Sequence, residues 1–369
     1  MNRIVLIGNG FDLAHGLKTR YEDFINWYWD QRVNGFANEC TDTSKDILCT
    51  FKHINGNTWK SFYDYNIPQL FSPFQKIEGK KVVQSILNNQ EKFNVTFSPF
   101  FKRICTSIET KGWVDIENEY YNLLTKYTLE EYSENNITSL NKQLQYLQER
   151  LLVYLSLINQ QKIIANDKIR DKIHAPIKST DISIEASEIV KKEVESDGQQ
   201  ETISPGIIML LSFNYTKTAQ AYLREDKQNV VLNYIHGTIE KPESIIFGYG
   251  DELDSEFEKL KNLNDNEYLR NVKSIRYMED DNYRKILAFI ESEPFQVCIM
   301  GHSCGNSDRT LLNTLFEHKN CVSIKPYYYI KKNGTDNYLE LVLNICRNFT
   351  DIKLMRDRVV NKKYCEPLV

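Results

Sequence analysis

The sequence has no long apolar run, no paired cysteines and no excess of charge of either sign. Its first apolar stretch, Ile4 to Ile7, is too short for the hydrophobic region of a secretory signal. Nothing approaches the ~20 consecutive apolar residues that a membrane-spanning helix needs. A cytoplasmic protein with no membrane partner is expected. Lys+Arg 46 against Asp+Glu 50 leaves a formal charge of −4, so no general electrostatic pull on nucleic acid is indicated. The eight cysteines, at 40, 49, 105, 298, 304, 321, 346 and 365, form no C-x-x-C pair. A structural zinc site has no local support, and reduced thiols are expected rather than disulfides. No metal and no internal repeat are read from the chain.

What is present is an alternation of apolar strands and helices, interrupted early. At 369 residues the chain can bury a full core. Arg3–Ile7 reads as a buried strand, and Leu13–Trp29 as the helix that completes a first β-α unit. Strand signals return at Ile207–Ser212, Val230–Ile235, Ile245–Gly248, Val297–Met300 and Cys321–Tyr329. Helical stretches lie among them at Ala219–Glu225, Tyr283–Glu291 and Arg309–Phe316. Short apolar strands alternating with helices argue for a parallel sheet covered on both faces.

Between these parts the character changes. Helical periodicity marks Trp113–Tyr127 and Leu144–Ile164, where Leu144, Leu147, Leu151, Leu155 and Ile158 share one face. Residues 165–205 are charged and poor in aromatics, and their end, SDGQQETISPG, reads as an exposed, mobile loop. The fold expected is α/β, a Rossmann-like parallel sheet with a large helical insertion after the first β-α unit. The boundaries read from the sequence are 1–30 with 206–369 for the sheet and 31–205 for the insertion.

Ligands of open parallel sheets bind beyond the carboxyl ends of the strands, so four loops are candidates. In Gly8-Asn9-Gly10-Phe11-Asp12 two glycines allow a tight turn and close approach of a ligand at a helix start. The usual third glycine of a dinucleotide loop is replaced by Leu13. Asp12 is read as helix cap, ribose contact or both. In Ser212-Phe213-Asn214-Tyr215-Thr216, Asn214 is a turn former, or an amide able to hold a water or a ribose hydroxyl. In Tyr234-Ile235-His236-Gly237, the histidine has a near-neutral pKa suited to accept a proton from a sugar hydroxyl. In Gly301-His302-Ser303-Cys304-Gly305-Asn306-Ser307-Asp308, Ser307 or Asp308 would cap the next helix, and the glycines and hydroxyl suit a phosphate or ribose.

Together LIGNGFDLAHGL, LSFNYT, YIHGTIE, FGYG and IMGHSCGNSD, in this order, resemble the AbiH family of bacterial abortive-infection proteins. GWVDIENEY, Gly112 to Tyr120, resembles a further segment of that family, and the likeness extends to about residue 330. More distantly the loops are similar to those of the sirtuin-like NAD-binding fold. That second resemblance implies NAD as substrate, with Asn214 and His236 in catalytic positions. It implies Gly8 and Gly10 near the diphosphate, and Gly301 and Ser303 near the adenosine. Asn9, Phe11, Gly237, His302 and Gly305 complete the binding residues expected on these loops.

The sequence departs from sirtuins at Asn9, Phe11 and Asp12, where small residues are usual, and at Thr216, where an aspartate is. It also has no cysteine pairs for their zinc module. Cleavage of NAD by water fits better than deacylation. In this expectation Asn214 positions water or ribose, His236 acts as base, and Asp12 adds negative charge near the oxocarbenium-like carbon.

Three other readings stay open. Gly301-His302-Ser303-Cys304-Gly305 fits the G-x-S-x-G elbow of serine hydrolases, although the one later histidine is His318. A nucleotide-binding sensor without turnover is another reading, with the insertion recognising a phage component or a second copy of the chain through aromatic clusters such as NWYWDQ and FSPF. Paired acids at Asp115 and Glu117 raise a nuclease, weakly, because residues two apart on a helix do not share a face.

Overall fold

The computed structural model describes all residues except 72–74, 112–113, 130–133, 188–194, 198–199, 224–228 and 251. By contacts the chain divides into two compact units, residues 1–18 with 155–369, and residues 19–154. Among the described residues the strands are β1 (Asn2–Ile7), β2 (Thr43–Lys45), β3 (Cys49–His53), β4 (Phe93–Phe97), β5 (Ile177–Lys178) and β6 (Glu195–Asp197). They continue with β7 (Gln200–Ile203), β8 (Ile208–Ser212), β9 (Val230–Tyr234), β10 (Phe295–Met300) and β11 (Cys321–Tyr327).

In the first unit, five strands form one sheet in the order β11-β10-β1-β8-β9, and every neighbouring pair is parallel. Numbered along the chain this is 3-2-1-4-5 from the β9 edge, the doubly wound arrangement. The sequence dictates it through largely apolar runs: β1, β10 and β11 are buried at every position, their few polar residues included, as strands covered on both faces must be.

Alternate side chains divide between two cores. Ile4, Leu6, Leu211, Val297 and Ile299 pack in one cluster with Ile286, Leu312 and Ile345. These three come from helices Asn282–Ser292, Arg309–Phe316 and Tyr338–Arg347. Val5, Ile7, Leu210, Cys298 and Met300 face the other way, toward Phe11, Ile169, Ile173 and Tyr222. The buried Arg3 is satisfied by Gln296 Oε1 at 2.9 Å and the Ile173 carbonyl at 2.7 Å.

The unit of residues 19–154 joins helices to the antiparallel sheet β2-β3-β4. Its core is aromatic: Phe36 stacks on Trp59 at 4.4 Å, and Trp59 on Phe93 at 5.7 Å. Of the NWYWDQ stretch, Tyr28 and Trp29 are buried against Phe101.

Four local expectations change. Leu13–Trp29 is two helices, Asn9–Ala14 and Tyr21–Gly35, because Gly16 adopts φ +78° and stops the first. Ile245–Gly248 is not a strand; its apolar side chains are buried, but its Ile246 N–H bonds to the His236 carbonyl rather than to a ladder. The stretch Ala219–Glu225 is a 3-10 turn over Lys217–Tyr222, with residues 224–225 outside the described set. Of residues 165–205, read as a charged segment ending in the exposed loop SDGQQETISPG, the first part holds helix Asp167–His174 and β5, anchored by buried Ile169, Ile173 and Ile177. The loop stretch itself supplies β7 and part of β6, paired antiparallel, with 198–199 outside the described residues.

Candidate functional site

The four candidate loops converge at the carboxyl edge of the sheet because β1, β8, β9 and β10 run parallel in register. The chain reverses direction across the sheet between β1 and β10, where such sheets form a ligand crevice. Here that crevice is closed by glycine against glycine. Gly10 donates its N–H to the Gly301 carbonyl at 2.8 Å. A Cβ on Gly8 would lie 2.5 Å from the His302 Cα, and one on Gly10 would lie 2.8 Å from the Gly301 carbonyl oxygen. Gly301 has φ +80°, and a Cβ there would overlap the Phe11 nitrogen. The Phe11 N–H is also engaged, by the Gly8 carbonyl at 2.9 Å. A diphosphate at this turn would have to displace the Gly10 bond.

Beside the crevice lie two polar clusters. The first centres on Asp12, which is not a cap: it sits inside helix Asn9–Ala14, whose N-cap is Gly8. Its carboxylate is 1% exposed and accepts from Thr216 Oγ1 at 2.7 Å, while Oδ1 is buried without a partner. Burial raises its pKa above the ordinary carboxylate value, against hydrogen bonds from Thr216, Thr218 and Asn214. Asn214, half-buried at the end of β8, donates Nδ2 to the Gly8 carbonyl at 2.9 Å.

The second cluster holds His236, 4% exposed just past β9. Its Nε2 lies 3.3 Å from Asp308 Oδ1 and 3.3 Å from the Tyr277 hydroxyl. Asp308 also accepts from Lys273 Nζ at 2.8 Å, and its Oδ2 is 3.5 Å from His302 Nε2. The Phe213 ring lies against both imidazoles, 5.2 Å from His236 and 4.1 Å from His302. Burial, reinforced by the charge of Lys273, pushes His236 below the usual imidazole pKa, with Asp308 opposing. Burial alone would raise Asp308; Lys273 and His236 outweigh it and hold the carboxyl well below its usual range. The imidazole is thus neutral and the carboxylate charged near neutral pH.

Of the residues expected from sequence, Asp12 and Asn214 stand in one cluster, and His236 and His302 in the other. Phe11 is fully buried in the core against His15 and Tyr222 rather than facing a ligand. Asn9 and Ser303 are exposed, and Gly305 is half-buried. A Cβ on Gly237 would overlap the Ser244 carbonyl, so its glycine serves that turn.

Sequence reasoning missed Lys273 and Tyr277, and weighed Asp308 only as a cap. Asp308 occupies the N-cap position of helix Arg309–Phe316 but makes no capping bond; its carboxylate turns to Lys273. The strained residue of the GHSCG turn is the buried Cys304, at φ +54°, not Ser303. His318 pairs with Glu291 at 3.2 Å. The serine-elbow geometry is absent. Asp115 caps the helix Ile116–Leu129 by accepting the Asn118 N–H at 3.0 Å, which explains it without a nuclease site. Gly112 and Trp113 of the GWVDIENEY segment lie outside the described residues.

Strand order and edge chemistry define an α/β protein of doubly wound type with a buried Lys-Asp-His cluster beside its switch point. The chain matches the family model described as Bacteriophage abortive infection AbiH over residues 4–329. It belongs to the AbiH family, and is by that membership a bacteriophage abortive-infection protein. No curated protein matches it. Among the described residues no helix is long and apolar enough to cross a membrane.

Proposed function

We propose that this protein acts in phage defence by cleaving NAD at the bond between nicotinamide and ribose. The observation that supports this most is the convergence of Asp12, Asn214 and a neutral His236 at the carboxyl ends of β1, β8 and β9. Breaking the glycosidic bond sends its electron pair to the pyridinium nitrogen, so nicotinamide leaves neutral and needs little acid catalysis. Positive charge develops at the anomeric carbon. The oxygen of a water forms the new bond there, and the proton it loses passes to His236 and then to solvent.

Asn214 suits the placing of water or ribose, since an amide donates and accepts together. The unpartnered Asp12 Oδ1 fits a ribose hydroxyl, or negative charge near the cationic sugar. The loops Gly8–Asp12 and Gly301–Gly305 would hold the rest of the dinucleotide. The distant sirtuin-like resemblance implies the same chemistry, and family membership sets it in phage defence.

One observation favours a second reading, in which a nucleotide is bound without turnover. Gly10 and Gly301 are bonded to each other and His236 is nearly enclosed, an arrangement suited to a sensor. Incubation of the purified chain with NAD, alone and in extracts of phage-infected cells, separates the two. Nicotinamide release, followed by chromatography and lost in His236→Ala, is expected for the hydrolase. Binding of NAD with no release under either condition would replace that reading with the sensor.

A further inference from the structure

We propose that Asp308, held ionised by Lys273, is a positioning residue that fixes the tautomer of His236, with the proton on Nε2 and the lone pair on Nδ1.

The geometry involves four stretches of chain. Asp308 belongs to the turn Asn306–Asp308, Lys273 to the short helix Lys273–Arg276, His236 follows β9 and His302 follows β10. Lys273 is 1% exposed and its ammonium meets Asp308 Oδ1 at 2.8 Å. A carboxylate with such a partner stays charged and can only accept hydrogen bonds. Each imidazole nitrogen that faces it must therefore carry a hydrogen.

For His302 the assignment has a second support. Its Nδ1 accepts the Cys304 N–H at 3.0 Å, so the ring proton sits on Nε2, which faces Asp308 Oδ2 at 3.5 Å. For His236, Nε2 faces Asp308 Oδ1 at 3.3 Å. With the ring neutral, Nδ1 is left bare, and among the described residues nothing hydrogen-bonds it. The competing arrangement has Tyr277 donating to an unprotonated Nε2 at 3.3 Å. It would set that lone pair against a charged carboxylate equally close.

Burying a charged pair of this kind is often no better for stability than apolar side chains of the same size. Orientation of two imidazoles gives the pair a function. The same logic excludes Asp308 as the base, because Lys273 takes its proton affinity away.

The catalytic consequence rests on the NAD-cleavage reading; the tautomer does not. The test is ¹⁵N NMR of the ¹⁵N-histidine-labelled full chain, which has only six histidines. His236→Ala and His302→Ala assign the two resonances. Wild type should show both rings protonated on Nε2 without added nucleotide. Asp308→Asn should shift His236 toward the Nδ1–H form, and should lower kcat for nicotinamide release about 10²–10⁴-fold with little change in KM. A wild-type His236 protonated on Nδ1 would overturn the proposal, as would an unchanged tautomer in folded Asp308→Asn. The wild-type spectrum decides even if that variant does not fold. Absence of nicotinamide release from wild type, with the tautomer as stated, would overturn only the hydrolase reading.

Discussion

Gly10 and Gly301 are joined through their backbones, N–H to carbonyl at 2.8 Å, so the loop after β1 is locked to the loop after β10. The contact needs Gly301 as glycine, since φ is +80° and a Cβ would strike Phe11. Gly301→Ala should therefore lose at least about 1–3 kcal/mol from the backbone strain, with more from the overlap. Urea unfolding reads this directly. A loss below about 1 kcal/mol would show that the loops separate freely.

Phe11 distinguishes a core residue from a ligand contact. It is fully buried in the cluster with Ile169 and Tyr222, so Phe11→Ala should cost about 3–5 kcal/mol of stability. Full thermal stability combined with weakened nucleotide binding would put the ring in a binding site instead.

If His236 accepts a proton, its depressed pKa has a kinetic signature. The neutral form persists below the ordinary value of 6.5, because burial and Lys273 disfavour the charge. Nicotinamide release should hold at pH values under 6.5 and fall only on further acidification. An acid limb centred above 6.5 in the kcat profile would mean that another group titrates.

His53 carries the same sign in the other unit, read through stability. It is 5% exposed on β3, 4.3 Å from the Trp59 ring, with Nε2 unpartnered. Burial lowers its pKa from 6.5, so the unfolded chain binds the proton more readily. Its stabilising contribution is complete above pH 6.5 and is lost as the pH falls below that toward the folded value. The slope for one such group is at most about 1.4 kcal/mol per pH unit. His53→Phe should flatten the decline of the urea midpoint on acidification; an unchanged slope would assign it to His236 and other groups.

Lys325 on β11 reaches Asp181 at 2.8 Å, and both are nearly enclosed. Asp181→Ala leaves a buried ammonium alone and should cost about 3–5 kcal/mol, whereas Asp181→Leu with Lys325→Met should recover most of it. Equal losses in the single and double variants would show that the ion pair is not what holds the 3-10 turn Ser179–Asp181 to the sheet.

The sheet was legible because RIVLI, IIMLLS and VCIM each announce a strand in a handful of adjacent letters. Ile245-Ile246-Phe247 makes the same statement, yet it is a buried loop segment; an apolar run reports enclosure, not pairing. Gly16, after Ala14-His15, was a visible stop that the helical periodicity of Leu13–Trp29 obscured. The edge loops could be ranked because their residue types are unusual together. Lys273 could not be found that way. VKSIRYMED reads as a charged surface helix, and the burial of its lysine depends on a carboxylate 35 positions further on. Asp308 was hidden by a plausible lesser role, since an aspartate before a helix ordinarily caps it.

The central place of β1 has a consequence for how the chain is made. β8 pairs with β9 on one side and β10 with β11 on the other, and only β1 links the two pairs. Its partner Ile208 follows Arg3 by about 200 residues, which at ~5–20 residues per second is a delay of roughly 10–40 s on the ribosome. Throughout that interval a strand with four consecutive apolar residues, Ile4 to Ile7, waits without a ladder, a hazard for association with other nascent chains. The keystone of the sheet is synthesised early and seated late, so translation speed and chaperone access in that interval bear on how much active protein a cell obtains.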